Sequence, residues 1–282
     1  MPILFVLIWS TGFIVAKAVS PHADLQAFLV ARFMLTGLVM GIAALAAGAQ
    51  WPRGRRLGPH LRAGALMQGV YVCASYWAIA HGMAAGVMAL LGALQPLFTA
   101  LFLVSMGRKL ELRTWIGLLI GFAGVGLVLA PKLASNGVGS LTVLTVGAAL
   151  LSVIAVTVGA LVQKRLAATD LRSAASIQNF GGAAIAISVT VLAGTGRWDG
   201  SPILWGALTW AVLVPSVVGT TLLMWMMRHG EATKVTALLL LVPPLAAIQA
   251  YLFFGETLSA VQFLGFAFAL GGVLLTRSVR TA

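Results

Sequence analysis

The residues able to do chemistry are few for a chain of 282: six Asp and Glu, eighteen Lys and Arg, four His and one Cys. Acid–base or metal chemistry needs several of them to converge, and they do not. No His, Cys and acid cluster has metal-ligand spacing, no Ser, His and acid set lies within the apolar runs, and no G-x4-G-K-[ST] phosphate loop occurs. Cys73 stands alone in an apolar run and cannot form an intrachain disulfide. The expectation is a protein that is not an enzyme and takes no cofactor and no metal, so any energy must come from a gradient. What remains are uncharged polar groups and rings in apolar surroundings. They are Trp9 and Ser10; Tyr71, Ser75, Tyr76 and Trp77; Gln95; and Gln249, with Arg32 the one charge among them. Such a set binds rather than transforms: rings take an apolar body by area, while amides and hydroxyls meet a polar head.

The elements that must carry these groups follow from composition. Hydrophobic residues make up 60% of the chain and charged ones 9%, with a mean hydropathy of +1.03. Soluble domains carry about 25% charged residues. That excludes an ordinary soluble enzyme, a disordered chain and a disulfide-stapled secreted domain. Nor does the net charge of +12 point to nucleic acid, because the bases are scattered between apolar runs. A membrane-crossing helix needs about 20 mostly apolar residues. Ten segments supply them: 3–19, 25–47, 61–80, 84–106, 114–130, 141–162, 174–193, 204–227, 233–254 and 260–276. The first lacks a basic leader and a small-x-small site, and reads as a span rather than a signal peptide. Continuous apolar runs also differ from the alternating strands of a membrane β-barrel.

Short loops on the cytoplasmic side are enriched in Lys and Arg. Arg53, Arg55, Arg56 and Arg62 follow span two, Arg108, Lys109 and Arg113 follow span four, and Lys164, Arg165 and Arg172 follow span six. Arg228 and Lys234 follow span eight, with Arg277 and Arg280 in the tail; the odd loops hold only Lys17, Lys132 and Arg197. Both termini are expected in the cytoplasm of a bacterial-type inner membrane, with anionic lipid as the partner of the basic side.

Within the spans, two readings stand for each polar group. Arg32 lies eight residues beyond Asp24, about 12 Å in at 1.5 Å per residue. It either meets a substrate carboxylate with its planar fork or snorkels and bonds helix carbonyls. Gln68, Tyr71 and Ser75 share a helix face by their i, i+3, i+7 spacing, a face suited to a cavity or another helix. Tyr76 and Trp77 either stack on an aromatic substrate or belong to an interfacial belt, where His81 also belongs. Trp9 and Ser10 sit mid-span, too deep for a belt. Pro96 beside Gln95, and Pro243-Pro244 ahead of Gln249, free helix carbonyls and mark hinges that contact substrate or only shape packing. Pro215 and Trp225 in span eight are weaker candidates of this kind. Gln178-Asn179 either line the cavity or bond a neighbouring helix. Gly37-x3-Gly41 and Gly117-x3-Gly121 permit close helix packing, the second pair also a homodimer contact. No acid falls near a span centre, which argues against a proton-trading site for organic cations and for a neutral, zwitterionic or anionic substrate.

Sliding the chain on itself by 148 positions pairs Pro96 with Pro244, Gly107 with Gly255, Gly117 with Gly265 and Gly124 with Gly272. Spans four and five thereby fall on nine and ten. Five spans per unit is odd, so consecutive units cross in opposite senses, with a path expected between them near the midplane. The expected units are residues 1–131 and 140–282, in an all-α polytopic fold of two inverted five-helix repeats around a central cavity.

Phe253-Phe254-Gly255-Glu256-Thr257-Leu258, Gln262-Phe263-Leu264-Gly265 and Gly271-Gly272-Val273 resemble the signature that closes each half of EamA-type transporters of the drug/metabolite transporter superfamily. Trp9 to Phe13 and Arg32-Phe33 are similar to the opening of that family's repeat. The first half departs from the signature, with Arg108 where the offset puts Glu256. The resemblance implies a ten-helix exporter in which spans one, three, four, six, eight and nine line a cavity and spans five and ten are peripheral. Within the family the chain most resembles the aromatic amino-acid exporters. The expected function is secondary export of a small amphipathic metabolite, first an aromatic or hydrophobic amino acid, by alternating access. The other readings are a nucleotide-sugar, drug or other metabolite carrier of the same fold, a non-transporting membrane subunit, and an intramembrane enzyme.

Overall fold

In lipid every backbone polar group must be satisfied within its own segment, so apolar runs of this length become helices. The computed structural model describes residues 2–133, 142–166, 169–219, 222 and 241–276. Asn136-Gly137, Trp225, Glu231, and the bases Arg228, Lys234, Arg277 and Arg280 lie outside the described residues. Six described helices are long and apolar enough to cross a membrane: Leu25–Ala46, Ala85–Ser105, Leu112–Pro131, Val143–Lys164, Leu171–Ala193 and Pro202–Gly219. Shorter apolar helices cover Leu4–Val19, Val242–Phe254 and Ala260–Leu275. A less apolar helical run through Leu57–Gly64, Ala65–Val70 and Tyr71–Ala80 completes the ten passes. Helix starts follow capping chemistry. The Asp24 carboxylate accepts from the Gln26 N–H (2.8 Å) ahead of span two, and Asp170 accepts from the Arg172 N–H (2.9 Å) ahead of span seven. Span nine stops at Gly255, whose left-handed φ of 64° suits glycine.

The repeats pack by placing equivalent spans against each other, head to tail. In spans five and ten, a methyl built on Gly124 would lie 2.6 Å from the Gly265 carbonyl, and one on Gly272 would lie 2.5 Å from the Gly117 carbonyl. Those two contacts exchange under the 148 offset, as a two-fold axis requires. As residue numbers rise in span five they fall in span ten, ending with the Gln262 amide donating to the Val128 carbonyl at 3.1 Å. Spans two and seven repeat the arrangement. Gly37 faces Phe180 and Gly41 faces Ser176, while Ser173 donates to the Gln50 carbonyl at 2.9 Å. The glycine pairs of spans two and five thus serve seams within the chain. The large core cluster joins both halves, from Phe28, Leu29 and Phe33 through Leu90, Leu91 and Leu97 to Phe266 and Val273.

Spans two, five, six, seven and ten are continuous α-helices. Spans one, three, four and eight are interrupted. Span one breaks at Thr11, between Pro2–Ser10 and Gly12–Val19, and span four breaks at Leu94, between Ala85–Ala93 and Gln95–Ser105. Pro96 starts the second piece of span four, where its missing N–H costs least. Span three loosens to a π-type turn over Ala65–Val70 and span eight over Val212–Gly219, the latter holding Pro215. From residue 65 to residue 212 is 147 positions, within one of the repeat offset of 148, so the two π turns lie at nearly equivalent places. Such turns gather at functional sites because they re-aim side chains.

Candidate functional site

The break in span one is the point where spans from both repeats meet. Thr11 donates its N–H to the Ile8 carbonyl at 3.2 Å rather than to Leu7, which frees the Leu7 carbonyl within the membrane. Side chains satisfy it: the Ser10 hydroxyl donates to it at 2.9 Å, and the Gln249 amide reaches it from span nine at 3.5 Å. The Thr11 hydroxyl donates to the Ile8 carbonyl at 2.7 Å and accepts from the Trp210 ring N–H of span eight at 3.1 Å. One residue on, the Gly12 carbonyl accepts the Tyr76 hydroxyl of span three at 2.8 Å. Tyr76 in turn accepts from the Arg32 guanidinium of span two at 3.0 Å. A broken helix stays in lipid only when neighbours meet its free groups; here Gln249 of span nine and Tyr76 of span three bond its carbonyls, and Trp210 of span eight bonds the Thr11 hydroxyl.

Beside this hub a half-buried face opens. The Tyr71 ring stands edge-on to Phe13, with centroids 6.5 Å apart at 88°. Its hydroxyl is 3.5 Å from where a methyl on Gly92 would sit, with nothing else among the described residues within 4 Å of that point. Gly92, Gln95, Pro96 and Thr99 are all half-buried, and the Thr99 hydroxyl folds back onto the Gln95 carbonyl at 2.9 Å. Further toward the basic loops, an apolar cleft of about 240 Å³ lies between spans four and six, lined by Phe98, Leu101, Phe102, Ile154, Thr157 and Val158.

The sequence-derived candidates divide accordingly. Ser10, Gln249, Tyr76 and Arg32 converge on the span-one break, and Tyr71 and Gln95 flank it. Ser75 is fully buried, with its hydroxyl donated to the Val72 carbonyl at 3.0 Å. Tyr76 is 1% exposed, so its ring offers no open stacking face. Trp77 stacks on His81 at 3.8 Å and 21° near the end of span three. Trp9 is 40% exposed and packs on Phe5 at 5.1 Å. Pro243 is buried and Pro244 half-buried at the start of the described part of span nine. Gln178 bonds the Gln163 side chain of span six at 2.6 Å. Gln68 abuts Gly182 of span seven, because the π turn ending at Val70 takes it out of the helical register that would align it with Tyr71. Phe13, Gly92, Thr99 and Trp210 join the site without having been singled out; Thr99, one turn beyond Gln95, carried the only spacing signal.

The loop end holding few bases is closed. Lys17 at the end of span one pairs with Glu256 at the end of span nine, Nζ to Oε1 at 3.2 Å. The other Glu256 oxygen accepts the Ala85 N–H at the start of span four at 3.2 Å. One carboxylate thus ties spans one, four and nine. Loops also interlock there: Asp199 bonds the His22 ring at 2.6 Å, the Arg197 guanidinium donates to the Ser20 carbonyl, and Thr195 donates both its N–H and its hydroxyl to Asp24. Burial raises the Asp24 pKa, but the N–H bonds of Thr195, Gln26 and Ala27 outweigh it and hold the carboxyl below its ordinary value. Asp199 is also held low, by the Ser201 N–H first and then by His22. Among the described residues no group of three His, Cys, Asp or Glu could hold a metal ion.

A model of the EamA-like transporter family matches residues 1–130 and 143–278. An "uncharacterized transporter" of Archaeoglobus fulgidus is 27% identical over 205 residues, 72% of this chain and 70% of that protein. A solved structure, titled only as the crystal structure of a protein, superposes with a TM-score of 0.66 at 19% identity. That superposition covers 98% of this chain and 94% of the other, and it bears on the fold alone.

Proposed function

Because the chain belongs to the EamA-like transporter family, and is a multi-pass membrane transporter, we propose that it exports small amphipathic metabolites, first among them aromatic or other hydrophobic amino acids. The substrate site in this reading is the span-one break with the adjoining Phe13, Tyr71, Gly92 and Gln95 face. The observation that carries it is the convergence on Leu7, Thr11 and Gly12, at the span-one break, of polar side chains from spans nine, eight and three, at the seam of two inverted repeats. Rocking of one repeat against the other then breaks and remakes bonds around a fixed point. The inner membrane, with both termini cytoplasmic, follows from the loop charges and puts the closed end outside.

Counterflow in liposomes tests the proposal. Vesicles loaded with unlabelled phenylalanine, tryptophan or leucine should accumulate the labelled counterpart. Tyr71→Ala should cut the aromatic rates more than the leucine rate. A properly folded protein that moves no amino acid in either direction would refute it.

A further inference from the structure

We infer that Arg32 is a carboxylate-binding group, its free guanidinium edge taking the acid end of an amphipathic substrate. This deepens the export reading above and rests on it for the site's location. Sequence alone left two roles open, meeting a substrate carboxylate, or snorkelling and bonding helix carbonyls. Arg32 is held inward: its Nη1 donates to the Tyr76 hydroxyl at 3.0 Å. That hydroxyl spends its own proton on the Gly12 carbonyl at 2.8 Å, so it can only accept from Arg32. The carbonyl at the span-one break therefore reaches the guanidinium through Tyr76, and among the described residues the cation itself bonds no backbone oxygen.

The remaining donors are the telling ones. Guanidinium carries five N–H groups in a rigid fork. The Arg32 Nε is shut off from water and has no partner among the described residues. No described acid pairs with it, since the ion pairs formed are Lys17–Glu256, His22–Asp199 and Arg172–Asp170. A cation part-way through a membrane, holding one neutral hydrogen bond, lacks the anion that would offset its desolvation. With Nη1 committed to Tyr76, the edge formed by Nε and Nη2 is the one left for bidentate contact with a carboxylate. The Tyr76 bond fixes the fork's plane, and Phe13 follows Gly12 on the same helix, edge-on to Tyr71. A carboxylate at Arg32 thus places an apolar substituent beside a ring pair. The class so defined is a monocarboxylate with an apolar or aromatic tail, whether or not it bears an amine.

Ligand-induced thermal stabilisation of the detergent-purified protein tests this without any transport step, using three isosteres. These are 3-phenylpropionate (acid only), 3-phenylpropionamide (neutral) and phenethylamine (amine only). Stabilisation should appear with the acid and require at least about tenfold more amide or amine. Arg32→Gln should abolish the preference for acid over amide. Tyr76→Phe, which keeps the charge and loses the anchor, should narrow it, and this variant decides the matter if Arg32→Gln does not fold. Equal stabilisation by acid and amide, or an acid preference unchanged in both variants, would overturn the assignment. Counterflow run in parallel separates the two ideas. Acid-selective stabilisation without amino-acid counterflow leaves Arg32 in place and sinks the export reading. Counterflow inhibited equally by acid and amide does the reverse.

Discussion

Glu256→Gln should unlock one end of the molecule. The wild-type carboxylate accepts the Lys17 ammonium at 3.2 Å and the Ala85 N–H at 3.2 Å, joining spans one, nine and four. At 3.2 Å and an effective dielectric constant near 20, the bare attraction is about 5 kcal/mol. Lys17 is 35% exposed and Glu256 17%, so screening and side-chain entropy reduce the pair to about 1 kcal/mol. A charged acceptor at a helix start contributes about 1 kcal/mol more. Together they weight the closed end by about 2 kcal/mol, a factor of about 30 in its population. The reporter is Gly92→Cys, where among the described residues a side chain meets only the Tyr71 hydroxyl at 3.5 Å, in a Cys73→Ala background. Its rate of modification by an impermeant thiol reagent, applied from the Lys17 side, should rise about thirtyfold in Glu256→Gln. Lys17→Gln should raise it about fivefold, since the Ala85 bond survives. Rates within twofold of wild type in both variants would refute the reasoning, as would a larger effect from Lys17→Gln than from Glu256→Gln.

Three further outcomes are expected. Arg108 occupies the position equivalent to Glu256, so Arg108→Glu should install a matching latch at the basic end and slow modification of the Gly92 cysteine from that side. Gly272→Ala should lower the thermal midpoint of the purified protein, at a cost of about 2–3 kcal/mol, because the new methyl meets Gly121 and Gly117 backbone atoms at 2.4–2.5 Å; Gly126→Ala, with nothing within 4 Å, should be near neutral. Asp24 has a lowered folded pKa against an ordinary 3.8, so its contribution is complete above that value and is lost as pH falls through the lower folded one. Asp24→Asn should therefore flatten the acid limb of the thermal midpoint, and an unchanged limb would remove Asp24 from the interlock.

The passes and their inversion were legible because both rest on coarse signals: run length, loop charge, and glycines and a proline at one offset. The Gly117, Gly124, Gly265 and Gly272 matches proved to be the crossing of spans five and ten, where only hydrogen lets two backbones approach. Site geometry was far less legible. In a bilayer, outward and inward faces are both apolar, so periodicity does not say which way Tyr71 or Trp77 points. Trp77 stacks on His81, four residues on, while Tyr76 bonds Arg32, 44 residues away. The π turns in spans three and eight leave no composition signal, yet they decide that Gln68 meets span seven. Ser10 and Gln249 stood out for their polarity, and the group they bond is the Leu7 carbonyl freed at Thr11. Lys17 and Glu256 lie 239 positions apart in sequence, and only the packing of spans one, four and nine brings them together.

The central claim is that a single site beside the span-one break is reached from each side of the membrane in turn. The Gly92 cysteine in sealed vesicles of known orientation tests it directly. Impermeant thiol reagent should modify it when added from either face, and a saturating transported amino acid should slow both reactions. Modification from one face only, however long the exposure, would contradict the account.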